Sequence, residues 1–369
     1  MTTPISIADR DFLQRAVELG RRGWGKVHPN PTVGCILVRD GEVVGEGWHS
    51  KVGGPHAEVH AIRTAGCRAR GATAYVSLEP CDHFGRTPPC TVALLEAGIS
   101  RVVYGAEDPG PESSGGGNRL RAHGLEVLGP VFNSREARRE NPAFFFNHEN
   151  HQTYVAVKLA QTLDGRIAET PGSRTEITGA EARLETHRLR AGFDGMLVGS
   201  GTALVDNPFL TVREYEDWAR QPTRVVLDTR ARLSPDSNLF RDIPQAPLVI
   251  FTSRDAPAER VERMREAGGT VYRVGEEEPG LSLSSVLDTC WSSGLRSLLC
   301  EGGSRLASEL IRGGLAQRLY LFMAPFVLGE QGVPAFTGLG SRGIWKAWDV
   351  AAPPRTLGRD ILMTFDRVA

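Results

Sequence analysis

His56, Glu58, Cys81 and Cys90 are the residues of this 369-residue chain whose types and spacing could do chemistry. The histidine and glutamate stand two positions apart in "HAEVHA" (56–61), and the cysteines lie in "LEPCDHFGRTPPC" (78–90). One imidazole and two thiolates make a mixed N/S set suited to zinc. Three protein ligands leave a fourth tetrahedral position open, as in catalytic rather than closed structural sites. An ion held there would acidify a water. Glu58, close to His56 but outside the ligand set, could take that water's proton and deliver it to a leaving nitrogen. The order H-x-E, then P-C, then a second cysteine is the zinc deaminase plan, used on nucleobase-like rings. Here eight residues, "DHFGRTPP", separate the cysteines instead of two, and so long a loop can bring further groups to a substrate.

The elements that must position these residues are legible in the pattern of apolar side chains. Asp9 to Gly23 has helical spacing, with Asp9 as the expected N-cap. "TVGCILVRDGEVVGEGWH" reads as two strands around Asp40-Gly41, a pair suited to a type I′ turn. A helix follows over Pro55 to Ala65, then strand "ATAYVSL", the cysteine loop, helix "TVALLEAG" and strand "RVVYGA". The stretch "PGPESSGGGN" reads as loop with one more helix and strand beyond it, and "SREARRENPAFFFN" as a closing helical run. After the polar "HENHQ" a new strand starts in "TYVAVKLAQTLDG", placing a boundary between residues 149 and 150. Strands are expected at "GMLVGS", "TRVVLD", "APLVIFTS", "TVYRV", "SLLCEGG" and "RLYLFMAPFVLG", interleaved with helices such as "EARLETHRLRAG". Two α/β domains result. The acidic run "EEEP" is expected to be a solvated loop.

Composition narrows the function classes. The chain is 40% hydrophobic and 24% charged, with net charge −1. That balance offers no global attraction to nucleic acid or membrane, and no basic stripe laced with aromatics is present, which argues against a nucleic-acid-editing protein. Three ligands beside a glutamate also make a poor structural zinc module. "MTTPISIADR" lacks the basic and apolar regions of a signal peptide, no apolar run is long enough to span a bilayer, and six irregularly spaced cysteines suggest reduced thiols, so a cytoplasmic protein is expected.

The chain resembles the bifunctional riboflavin-biosynthesis deaminase and reductase family over nearly its whole length. The matching segments are "HPNPTVGCILV" (28–38), "HAEVHA", "LEPCDHFGRTPPC", "LDGRIA" (163–168), "LVGSGT" (197–202), "DNPFLTVR" (206–213) and "EGGSRL" (301–306). The resemblance implies a cytidine-deaminase-like three-layer domain over 1–149 and a dihydrofolate-reductase-like domain over 150–369. It implies Zn2+ and NADPH as cofactors, deamination of a diaminopyrimidinone ribosylamino phosphate, reduction of its ribosyl group to ribityl, and a homodimer or higher homo-oligomer. By motif position, Asn30, His49, His83, Arg86 and Asp108 would hold the deaminase substrate, with Lys51 a further candidate for its phosphate. Ala160, Thr202, Asp206, Thr229 and Gly303 would line the NADP site, and Lys158, Arg190, Leu210, Arg213 and Glu301 would face the reductase substrate. The glycine turns "GSGT" and "EGGS" at strand ends can present backbone N–H groups to phosphates.

Three positions depart from the family pattern. Arg174 and Glu176, in "RTEIT", stand where a serine and a tryptophan are usual, and Gly110 replaces the asparagine of "DPNP". The alternative expectation is therefore a divergent paralogue that deaminates a related GTP-derived pyrimidine with altered or lost reductase activity.

Overall fold

The computed structural model describes residues 5–85, 88–216, 218–339 and 348–368. The chain divides into two compact units, Met1–His151 and Gln152–Ala369.

The first unit contains α1 (Ile7–Gly20), β1 (Gly34–Arg39), β2 (Glu42–Trp48), α2 (Ala57–Ala65), β3 (Thr73–Leu78), α3 (Cys90–Glu96) and β4 (Arg101–Ala106). It continues with α4 (Gly116–Ala122), β5 (Glu126–Leu128), α5 (Ser134–Glu140) and α6 (Pro142–Asn150). Its sheet has the order β2-β1-β3-β4-β5, antiparallel across β2-β1-β3 and parallel across β3-β4-β5. The turn between β1 and β2 has φ of 52° at Asp40 and 81° at Gly41, the left-handed pair that Asp-Gly supplies. Strand alternation divides β1 between two cores. Ile36 and Val38 pack with Leu13, Ala16 and Leu19 of α1, while Cys35 and Leu37 pack with Ala57, Ala61 and Ala65 of α2. Helices on both faces of one sheet make three layers.

Two expectations for this unit need correction. Ser6, not Asp9, caps α1: the Ser6 hydroxyl accepts from Asp9 N–H at 3.1 Å, and the Asp9 carboxylate accepts from Ser6 N–H at 2.9 Å. Asp9 is buried and also receives the Tyr75 hydroxyl and the Arg101 guanidinium, so it ties the helix to the sheet. Burial opposes its charge, but the Arg101 bond and those from Ser6 and Tyr75 hold its carboxyl well below the usual range. The run "SREARRENPAFFFN" forms two helices, α5 and α6, because Pro142 has no N–H to continue a helix and takes the first position of the next one.

The second unit contains β6 (Tyr154–Thr162), β7 (Arg166–Ala168), α7 (Ala180–Ala191), β8 (Gly195–Gly199), α8 (Ser200–Asp206), β9 (Thr223–Leu227), β10 (Leu248–Ser253), α9 (Ala258–Glu266) and β11 (Thr270–Val274). Then come β12 (Glu276–Glu277), β13 (Gly280–Leu281), α10 (Leu283–Ser292), β14 (Ser297–Cys300), α11 (Ser304–Arg312), β15 (Arg318–Ala324), β16 (Val333–Pro334), β17 (Trp348–Leu357) and β18 (Asp360–Arg367). Among the described residues the large sheet runs β11-β10-β9-β8-β14-β6-β15-β18-β17, parallel except at β18 and β17. Val155, Val157, Leu197, Val225, Phe251, Leu298 and Cys300 form its buried centre, the continuous apolar strands that a sheet covered on both faces requires. The β17-β18 hairpin escapes the pattern reading because Pro353 and Pro354 interrupt β17, which tolerates them as an irregular edge strand. "EEEP" is likewise not a plain solvated loop. Glu276 and Glu277 pair with Leu281 and Gly280, and Ser282 Oγ donates to Glu277 at 2.8 Å.

Candidate active sites

In the first unit, two glycines of β2 let α2 lie directly on the sheet. A Cβ at Gly45 would come within 2.3 Å of Ala61 O, and one at Gly47 within 2.3 Å of Ala57 O. This close approach sets the N-terminus of α2, where His56 is the N-cap residue and Glu58 lies in the first turn. Cys81 follows β3, and Cys90 opens α3.

The structure brings these residues together. His56 Nδ1 is 3.2 Å from Cys90 Sγ and 3.4 Å from Cys81 Sγ, and all three donor atoms lie within 4.8 Å of one another. A tetrahedral zinc with ordinary Zn–N and Zn–S bonds separates nitrogen from sulfur by roughly 3.5 Å, so the donor set fits that ion. Glu58 is buried beside Cys90. Burial, with Cys81 adding to it, raises its carboxyl to about 6, while His56 and Cys90 pull the other way. Hydrogen bonding from Cys90, and then from His56, holds the Cys81 thiol down at about 4 against its burial.

Of the remaining deaminase candidates, His49, Asn30 and Asp108 lie near this cluster. His49 is buried, with its ring 5.3 Å from that of His56 at a steep angle. Its Nδ1 is 3.2 Å from Pro55 O and its Nε2 3.4 Å from Asn30 Nδ2. Asn30, His49 and His56 thus form a contiguous set of side chains. Asp108 is buried and accepts from Gly110 N–H at 2.8 Å, and burial raises its carboxyl. A Cβ at Gly110 would meet Ser113 Oγ at 2.5 Å, so Ser113 occupies side-chain space at that position. His83 lies two residues beyond Cys81, and its Nδ1 is shielded without a partner among the described residues. Lys51 is exposed. Arg86 lies outside the described residues.

In the second unit a cavity of about 1440 Å³ opens at the carboxyl ends of β8, β9 and β14, where parallel sheets place ligands. Lys158, Ala160, Arg190, Thr202, Asp206, Arg213, Thr229, Glu301 and Gly303 all line it. Gly303 N–H donates to Thr202 Oγ1 at 3.1 Å, joining the two glycine turns. A Cβ at Gly201 would meet nothing within 4 Å, and one at Gly303 only Thr202 Oγ1 at 3.6 Å. The turns therefore leave open space against backbone, and the volume suits an extended dinucleotide with a second molecule, so the cavity fits NADPH. Arg190 donates to both Glu301 oxygens at 2.7 and 2.9 Å. Burial opposes that charge, but Arg190 keeps Glu301 ionised down to about 2. Lys158 sits 5.1 Å above the Phe322 ring, and burial lowers its pKa.

Leu210 stands apart. It is buried with φ of 53° and does not line the cavity; its neighbour Thr211 offers its carbonyl to Arg190 at 3.0 Å. The departures Arg174 and Glu176 do line the cavity, the first acting on the charge of Asp206 and the second 3.9 Å from Arg183. The pattern reading missed Arg183 and His187 on α7, although they share a face with Arg190 at three- and four-residue spacing. It also missed the β12-β13 hairpin, whose glutamates join the cavity wall.

A three-layer domain with a deaminase-type N/S metal cluster, followed in one chain by a parallel-sheet domain with a dinucleotide-sized cavity, defines a two-site enzyme of the deaminase and reductase class. Residues 6–106 match the cytidine and deoxycytidylate deaminase zinc-binding region, and residues 153–354 match the RibD C-terminal domain. The riboflavin biosynthesis protein RibD of Aquifex aeolicus is 38% identical over 97% of this chain and 98% of its own length. That of Escherichia coli K12 is 39% identical over 87% and 89%. The solved structure of Acinetobacter baumannii RibD, form 1, superposes with a TM-score of 0.83 at 32% identity, covering 98% of this chain and 99% of that one. A diaminohydroxyphosphoribosylaminopyrimidine deaminase/5-amino-6-(5-phosphoribosylamino)uracil reductase from Thermotoga maritima gives 0.82 at 34%, with coverage of 98% and 99%.

This chain belongs to the RibD family of bifunctional riboflavin biosynthesis enzymes. Its first domain is a cytidine-deaminase-like zinc deaminase and its second a RibD-type, NADPH-dependent reductase. No finding favours the divergent-paralogue alternative.

Proposed function

We propose that the first unit deaminates diaminohydroxyphosphoribosylaminopyrimidine and that the second reduces the resulting 5-amino-6-(5-phosphoribosylamino)uracil at its ribosyl group. The observation that carries this reading is the convergence of His56, Cys81 and Cys90 beside buried Glu58, in a chain whose other unit holds the glycine-lined cavity. When bound, zinc acidifies a water and NADPH supplies reducing equivalents.

Glu58 receives a proton from the attacking water and delivers it to the departing nitrogen, so water replaces the amino group and ammonia leaves. Asn30 and His49 orient the ring, Asp108 bonds its edge, and His83, with Arg86 and Lys51, meets the phosphate side. In the second unit Thr202, Thr229, Gly303, Ala160 and Asp206 hold the dinucleotide, with Arg174 over Asp206. Lys158 and the Arg190–Glu301 pair face the sugar, and Arg213 meets the phosphate. The chain acts in the cytoplasm as a homodimer or higher homo-oligomer. Its six unbridged cysteines are consistent with a reducing compartment, no helix among the described residues is long and apolar enough to cross a membrane, and its mass in solution tests the assembly.

The decisive experiment follows ammonia release and NADPH oxidation together on the diaminopyrimidine substrate. Equal amounts of both are expected, and Glu58→Gln should release no ammonia while retaining zinc. Normal turnover in that variant would remove Glu58 as the proton carrier.

A further inference from the structure

Asp82 and Thr91 are the residues immediately after the two cysteines of the metal cluster. Thr91 is fully buried, and its hydroxyl donates to Asp82 Oδ1 at 2.7 Å. Arg119 of α4 places Nη1 3.2 Å from the same oxygen. The backbone reinforces this closure. Thr91 N–H donates to Cys81 O at 3.3 Å, Cys90 N–H to Cys81 Sγ at 3.4 Å, and Asp82 N–H to Ser113 O at 3.1 Å. The eight-residue excursion between the cysteines is therefore tied at its base through side chains that are not themselves in the ligand cluster.

We propose that the Asp82–Thr91 hydrogen bond, anchored by Arg119, is a clasp that sets the separation of Cys81 and Cys90 and so raises the affinity of the site for zinc. This inference rests on the zinc deaminase reading of the same site. The physical case has two parts. A long loop between two ligands costs closure entropy when a metal draws its ends together, and a bond already joining the ends removes that cost from the binding step. A carboxylate one residue from a thiolate ligand is also a competing metal donor. With Oδ1 engaged by Thr91 and Arg119, Asp82 stays outside the His56–Cys81–Cys90 cluster. Asp82 and Thr91 are thus positioning residues that act through the cysteines.

The test measures zinc affinity of the full-length protein by competition with a chromogenic chelator, with thermal melts as a check on folding. Thr91→Val and Asp82→Ala should each weaken zinc about tenfold, the scale of second-layer partners of metal ligands. Thr91→Ser should restore wild-type affinity. The double variant should bind no more weakly than the weaker single variant, because one interaction is lost in both. Asp82→Asn keeps an acceptor for Thr91 and should fall between wild type and Asp82→Ala. It also keeps the clasp testable if Thr91→Val fails to fold, because a loss as deep as that of Asp82→Ala would assign the effect to charge and overturn the clasp. Wild-type affinity in Thr91→Val, or additive losses in the double variant, would overturn it as well. A wild-type protein that binds no zinc would instead sink the deaminase reading on which the clasp depends.

Discussion

His187 illustrates how far a single side chain can be driven by its surroundings. It is 2% exposed and accepts Arg213 N–H on Nδ1 at 3.2 Å, and burial, followed by the Arg190 and Arg213 charges, lowers its pKa to about 4. An unfolded histidine titrates near 6.5. Between roughly pH 6.5 and 4 the unfolded chain therefore binds a proton that the native state refuses, so the stability tied to neutral His187 is complete above that window and disappears as pH falls through it. Thermal melts at pH 7 and pH 5 should show a larger drop for wild type than for His187→Asn, and equal drops would acquit His187. Glu301 shows the opposite device: although burial opposes its charge, its neighbour Arg190 keeps the carboxylate ionised, so the Arg190–Glu301 pair gives the reductase cavity two charges at neutral pH.

At the scale of elements, the deaminase site depends on how closely α2 approaches β2. His56 and Glu58 sit at the start of that helix, and Gly47 is what lets it descend onto the strand. An added methyl group there would press on Ala57 O at 2.3 Å and Ala61 N at 2.4 Å, backbone atoms that no rotamer change can move. Gly47→Ala should cost about 1–3 kcal/mol, the usual range for overpacking, and should lower zinc content by displacing His56. An unchanged melt with full zinc loading would show that the helix can lift without moving its ligand. Gly45 makes the same kind of contact one strand repeat earlier, so the pair acts as a flat landing for the helix.

Across the whole molecule, the described residues of each site belong to one unit: the metal cluster lies within Met1–His151 and the cavity within Gln152–Ala369. Two inactive variants should therefore complement each other. Glu58→Gln is expected to silence the deaminase, and Lys158→Met, close in volume, the reductase. Mixed in solution, the two should convert substrate through both steps, with NADPH oxidation lagging behind ammonia release. Ammonia without NADPH oxidation in the mixture would mean that the intermediate must pass within one assembly.

Much of this was legible beforehand because local chemistry is written locally. H-x-E, P-C and the glycine turns are short motifs whose spacing alone limits what they can bind, and apolar runs such as "TRVVLD" and "SLLC" announce buried parallel strands. What escaped was long-range. Asp9 belongs to a local capping box with Ser6, but its tie to Tyr75 and Arg101, residues far along the chain, could not be read from its neighbours. Leu210 lies off the cavity, buried on a left-handed backbone beside a Thr211 whose carbonyl meets Arg190. The acidic hairpin joined the cavity wall although nothing in its composition marks a site. The amino-acid sequence by itself determined which donors and turns were available, since ligand type and turn chemistry are properties of single residues and their neighbours. Only the tertiary structure decided which of them meet, because burial, ion pairing and close backbone approach depend on residues brought together by packing and not by order in the chain.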